Sequence, residues 1–460
     1  MPEDVDPTAS VPDRLGDLLA EDCEALRAAG LAADEAYLIA AKRRSVSDPV
    51  VRELARERFA ELWDEPDKAS ADADAPAMPP ETAAEPGSLI TEAAPDADMR
   101  GTGQRGFWVM AAFAVAAAVA IRLPEAFGFE LTESQDAEFY ALNYSLLVLP
   151  PLAGWFVWLK RPPLQVAVVI GAVFAVSAAV INAYPFDGGG STFVLAVLHL
   201  PVLLWLVGGL ARAGALWPLP AQRMDYVRFT GEWIVYGVLI ALAGAVFSAL
   251  TVGAFVALDL STRWMTEWVM VAGSAGAVVV TAWLVEFWAG AVSRIASMLA
   301  YIFTPLFAAM LVVFLVAVPA SGRSIESDRE ALILFNVLLG IVVGLLLFCG
   351  AARRPSDRLG FFDGASAVLA SAGLLTSVLT LVAVIGRIAD FGWSPNRTAL
   401  LGINAIFAVN LAGSVWLYLA LWRRRRQFDD IVRWQTAHLA AYAAWAAIVV
   451  VAFPPVFSFA

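Results

Sequence analysis

The amino-acid sequence predicts an all-α fold, a polytopic transmembrane helix bundle of about eleven spans behind a small helical unit and an acidic linker. Three observations predict it. From near Phe107 almost to the C-terminus, apolar runs of about twenty residues follow one another; that length crosses the roughly 30 Å hydrocarbon core of a bilayer. Of the whole chain, 60% is hydrophobic and only 16% charged, whereas soluble domains are nearer half apolar and a quarter charged. The acidity is confined to one end: residues 1–100 hold about 24 acidic and 10 basic side chains, so the remainder is close to neutral.

Residues 1–63 form the prefix. Leu15, Leu18, Leu19 and Leu26 recur at helical spacing, and Gly30 follows as a C-terminal stop. Ala36, Ile39 and Ala40 mark a second short helix. Asp48-Pro49 opens a third, with Val51, Leu54, Ala55, Leu62 and Trp63 on its apolar face. So short a unit buries little core. A cytoplasmic protein partner, a second copy of the chain or the membrane surface is expected to cover it.

Residues 64–105 are rich in Ala, Asp, Glu and Pro. Such composition cannot bury enough surface to order itself, so a disordered linker is expected. Within it Gly101-Thr102-Gly103-Gln104-Arg105-Gly106 matches a dinucleotide fingerprint by letter. That motif works only between a strand and a helix, so no cofactor is expected from it.

The membrane domain, 106–460, is expected to place spans at 107–123, 141–159, 164–183, 192–211, 231–258, 267–288, 298–318, 331–352, 365–386, 398–421 and 434–452. Each must be helical, because lipid cannot satisfy open backbone groups. Alternate loops divide the bases unequally. One set holds Lys160, Arg161, Arg212, Arg223, Arg228, Arg294, Arg353, Arg354, Arg358, Arg423 to Arg426 and Arg433. The other holds Arg122, Arg263, Arg323, Arg329, Arg387 and Arg397. The positive-inside rule then puts the first set and the prefix in the cytoplasm, in a bacterial inner membrane, and an odd span number puts the C-terminus outside. Tryptophans near run ends, among them Trp108, Trp155, Trp158, Trp264, Trp288, Trp393 and Trp422, suit an interfacial belt.

Two segments bear a family likeness. ALRAAGLAADEAYLIAAKRRSVSDPVVRELARERFAELW (25–63) resembles the permease prefix domain, a short helical module before bacterial membrane segments. DYVRFTGEWIVYGVLIALAGAVFSALTVGAF (225–255), YIFTPLF (301–307) and RIADFGWSPNRTALLGINAIFAVNL (387–411) resemble the bacterial polytopic family filed as domain of unknown function 4153. The resemblance implies a membrane bundle and no particular activity.

Few residues carry candidate chemistry. Glu286 interrupts an apolar span, and an ionisable group at depth usually faces the bundle interior or water. It is a candidate proton- or substrate-coupling carboxylate, or else half of a structural ion pair or an interfacial side chain reaching the headgroups. Arg294, eight residues on, shares roughly the same helix face if one helix runs through Gly290, and is a further cavity or coupling candidate or the other half of that pair. His199 sits mid-span beside Pro201, where it either lines a cavity or is a satisfied interior group. Asp225, Arg228 and Glu232, at spacings of three and four, either pair or line a polar entrance. Arg397, after a Ser394 cap and Pro395, is a candidate contact for an anion outside. Asn182, Asn336, Asn404 and Asn410 suit interhelical bonds, and Gly340 with Gly344 permits close helix approach.

Cys23 and Cys349 lie far apart, and two distant histidines exclude a recognisable zinc motif. No metal or cofactor is expected, and no nucleophile–base signature points to an enzyme. Membrane lipid is the expected surrounding, and an acidic tail repels nucleic acid. Three readings follow: a permease-like transporter or channel-like protein, a membrane scaffold or sensor acting through its prefix, and a lipid-modifying enzyme.

Overall fold

The computed structural model describes residues 97–130, 136–288, 292–320, 329–353 and 359–459, and within the prefix only 19–20, 22–24, 37 and 39–41. The chain divides into two units, Met1–Glu92 and Ala93–Ala460. In the first, all the described residues are helical and Leu19, Ala40 and Ala41 are fully buried. Leu19 and Ala40 are two of the positions expected on apolar helix faces. Ile39, expected on the same face as Ala40, is helical and half-buried, and the other prefix expectations and the linker over 64–96 lie outside the described residues.

The second unit is all helix among the described residues: α1 (Ala97–Arg122), α2 (Ala137–Lys160), α3 (Leu164–Ala183), α4 (Ser191–Ala213), α5 (Pro220–Ala257), α6 (Gly273–Trp288), α7 (Val292–Ala320), α8 (Arg329–Ala352), α9 (Phe361–Phe391), α10 (Pro395–Trp422), α11 (Phe428–Val451) and the short α12 (Phe453–Val456). Eleven of these segments are long and apolar enough to cross a membrane. Residues 97–105, expected as the end of the linker, instead form the first turns of α1. α5 likewise begins eleven residues before its apolar run, at Pro220, whose ring suits a first helical position.

Local chemistry sets the ends. Arg161 adopts a left-handed conformation after α2, and Pro162-Pro163 bars continuation into α3. Gly392 (φ 74°) ends α9, and Ser394 caps α10 by accepting from the Arg397 N–H at 3.4 Å. A π-helical segment, Met265–Ala272, leads into α6.

Contacts between helix ends establish an alternating path. Lys160, Arg212 and Glu286, ending α2, α4 and α6, meet on one face. On the same face Arg228 near the start of α5 donates to the Ala351 carbonyl at 2.9 Å. On the other, Asn396 of α10 donates to Ser191 of α4 at 2.9 Å, and Tyr184 after α3 donates to the Val451 carbonyl of α11 at 2.8 Å. We name these the basic face and the far face.

Two apolar cores hold the bundle. One gathers α1–α6 around Trp155, Phe156, Leu200, Phe229 and Val279; the other gathers α7–α10 around Leu311, Leu339, Val342, Leu346 and Leu411. α11 contributes to both. Trp155, expected at an interface, is fully buried in the first core; Trp108, Trp264, Trp288 and Trp393 are exposed as a belt requires.

Asparagines bind helices in pairs: Asn143 and Asn182 exchange amide bonds at 3.0 and 2.8 Å, and Asn404 donates to Asn336 at 2.9 Å. Asn410 joins Gln435 and Ser414 between α10 and α11. Gly340 and Gly344 meet no neighbour within 4 Å, so the expected close approach is not there. It occurs at Gly402 and Gly413 of α10, where the rings of Trp445 and Trp434 occupy the space of a Cβ. An indole fills such a notch, and sequence spacing of small residues does not reveal it.

Candidate functional site: a far-face cavity

The sequence offers two places where ionisable groups enter the bilayer region, and the structure treats them differently. On the basic face the Glu286 carboxylate accepts from Lys160 Nζ and Arg212 Nε, each at 2.6 Å, one on each oxygen. The Arg212 guanidinium lies 4.9 Å over the Phe229 ring. Glu286 is 9% exposed and Lys160 34%, so the triad sits where the bundle meets its surface. The α6 helix ends at Trp288 and the next begins at Val292; the side chain of Arg294 lies outside the described residues. Glu286 is thus neutralised by two other helices, α2 and α4.

Asp225 and Arg228 pair with each other at 2.9 Å. Glu232 is buried and shares with Arg228, Gly231 and Phe348 a pocket of about 20 Å³, room for about one water. A second ion pair, Arg353 with Asp363 at 2.9 Å, joins α8 to α9, and Arg353 stacks 4.2 Å over Phe428 of α11. Asp363 also accepts from the Gly360 N–H at 3.0 Å, closing a capping box. Sequence reasoning missed this pair, though Arg353 and Asp363 flank one short loop and that proximity was the available signal.

The far face differs. Between α4, α8, α9 and α10 lies a cavity of about 760 Å³. Two sequence candidates that were read apart, His199 and Arg397, both line it, with Asn336, Arg387 and Asn396. No acidic side chain lines it among the described residues. At 1.5 Å per residue, His199 and Asn336 stand about 10–12 Å below the far-face ends of α4 and α8. They form the floor, and Ser191, Ser394, Asn396 and Arg397 surround the mouth.

Each polar wall is held. His199 Nδ1 is 2.8 Å from the Leu195 carbonyl of its own helix. Asn336 accepts from Asn404, whose amide also donates to Leu400. Arg397 donates to the Phe391 and Gly392 carbonyls at 3.0 and 2.7 Å and stacks on Phe391. These partners are neutral, so the guanidinium is anchored without its charge being cancelled.

Below the floor α8, α9 and α10 close through Leu339, Val342, Leu346, Leu369, Ala370 and Leu411, and the Arg353–Asp363 pair lies beyond them on the basic face. Glu286 is not part of the cavity wall. The described residues contain no cluster of potential metal ligands. No family model, no curated protein and no solved structure matches the chain.

Proposed function

We propose that the protein is a permease-like carrier of the bacterial inner membrane, with the far-face cavity as its outward-facing substrate site. The likeness of residues 25–63 to the permease prefix domain, and of the membrane segments to domain of unknown function 4153, belongs to this proposal. The loop arginines support a cytoplasmic basic face by the positive-inside rule, and on this reading the prefix lies inside and the C-terminus outside.

The single observation that supports transport is the cavity's reach, about a third of the way along α4 and α8. The cavity extends to the level of His199 and Asn336 and stops at an apolar plug, with an ionic clamp between α8 and α9 beyond it. Alternating access needs a mid-membrane site open to one side and barred from the other by contacts that can exchange. Glu286 takes no part in this proposal as a coupling carboxylate, because Lys160 and Arg212 account for its charge.

Two-sided thiol labelling tests it. In a background of Cys23→Ser and Cys349→Ser, Asn336→Cys is exposed to a membrane-impermeant reagent in right-side-out and in inverted vesicles. A carrier labels from both sides. Labelling from the outside alone contradicts transport and supports a static scaffold or sensor.

A further inference from the structure

We propose that the cavity takes an anionic amphiphile, a molecule with an acidic head and a hydrocarbon chain, which enters sideways from the outer leaflet between α4 and α8. The inference rests on the carrier reading for its direction of travel and on the cavity's walls for its chemistry.

The opening is lateral. α4 and α8 scarcely touch, and α10 packs on both as the rear wall. The residues on the two sides of the gap both line the cavity and lie exposed: Val194 and Leu198 (61%) on α4, Ile333 and Val337 (54%) on α8. By helical rise, Leu198 and Val337 stand about 10–12 Å below the helix ends. In a bilayer that depth is hydrocarbon. A hydrated ion gains nothing at such a rim, because it would shed its water into lipid. An alkyl chain crosses it without that loss.

The polarity is graded along the same axis. Arg397, Asn396 and Ser394 stand at the far-face start of α10, apolar side chains of α4, α8 and α10 follow below, and His199 and Asn336 close the floor. A positive mouth with no acidic neighbour among the described lining residues favours a negative head. The chain then lies along Leu195, Leu198, Ile333 and Val337 and leaves through the α4–α8 gap, clear of the polar floor at His199 and Asn336. The volume of about 760 Å³ falls within the roughly 300–1,000 Å³ of small-molecule sites.

Photocrosslinking of the full-length protein in phosphatidylcholine nanodiscs tests the assignment. The probes are a diazirine-bearing oleate and a phosphatidylglycerol with a diazirine acyl chain, with adducts mapped by peptide mass spectrometry. The expected result is adducts on 194–198 and 333–337 that excess unlabelled probe removes. Competition by oleate alone identifies a free fatty acid, and competition by phosphatidylglycerol alone a phospholipid. Arg397→Gln should reduce these adducts at least fivefold. Val337→Trp, at a lipid-exposed position where folding is not at stake, should abolish them while adducts on α3 and α5 persist.

Adducts spread evenly over the lipid-facing helices, indifferent to competitor and to both variants, would overturn the assignment. So would displacement by inorganic phosphate or acetate at equal efficiency, since a water-soluble anion would then be the occupant. In neither case does the two-sided labelling of Asn336→Cys change, so a failed ligand class and a failed carrier reading remain distinct results.

Discussion

The basic-face triad and the far-face cavity begin from the same sequence signal, an ionisable residue inside an apolar run, and reach opposite ends. Glu286 meets two cations delivered by the C-terminal ends of other helices. His199 meets its own helix's carbonyl on one side and open space on the other. The difference lies in what the neighbouring helices bring. The ends of α2 and α4 place Lys160 and Arg212 at Glu286, whereas α8 keeps its distance from α4 and leaves His199 beside a void. A polar residue at depth therefore signals a constraint, and only the packing around it separates a structural ion pair from a binding wall.

That contrast predicts that charges on the basic face act on stability and polar groups on the far face act on binding. The largest effect belongs to the Arg353–Asp363 pair, both of whose side chains are under a tenth exposed. Arg353→Gln leaves a buried carboxylate without its cation and should destabilise by about 3–5 kcal/mol, read as a fall in the detergent melting temperature. An unchanged melting temperature would remove the clamp from the account.

Glu286→Gln comes next. It leaves Lys160 and Arg212 facing one another across a neutral amide, but Lys160 is a third exposed and can reach water. We expect a loss of about 2–3 kcal/mol, below the fully buried case. Adding Arg212→Gln should restore part of it, and a double variant no more stable than the single one would break the triad's logic.

Asn404→Leu should cost about 1 kcal/mol, the usual scale of an interhelical hydrogen bond in a membrane bundle. Denaturant titration can resolve it, and a loss several times larger would mean that Asn404 supports more than Asn336 and its own helix. The smallest stability change is expected at the far face. His199→Phe should alter stability by no more than about 0.5 kcal/mol, yet abolish thiol labelling at Asn336→Cys by filling the floor. Lost stability with intact labelling would reverse the comparison.

Much of the fold is legible from composition and run length alone, because hydrocarbon thickness and backbone satisfaction leave only helices of one size. The Ser394–Pro395 start of α10 reads directly from capping chemistry. Helix ends read less well: the early part of α5 carries Asp225, Arg228 and Glu232, so its helix is invisible to hydropathy although Pro220 marks its start. The candidate site was half visible. His199 and Arg397 each stand out, but they lie nearly two hundred residues apart, and only tertiary packing brings α4 to α10. Lys160 and Arg212 are not legible as partners of Glu286 for the same reason: along the sequence both lie far from it. Gly402 and Gly413 show the converse, since they become essential only through the tryptophans opposite.

The central claim is that the far-face opening and the basic-face clamp are two ends of one exchange. Spin labels at Leu198→Cys and Val337→Cys, both on the exposed rim of the cavity, measure the α4–α8 gap by double electron–electron resonance in the cysteine-free background. The account predicts two distance populations, with the shorter one enriched when Arg353→Gln releases α8 from α9 on the opposite face. A single distance, unmoved by Arg353→Gln, would contradict it and leave a rigid bundle with a fixed outer pocket.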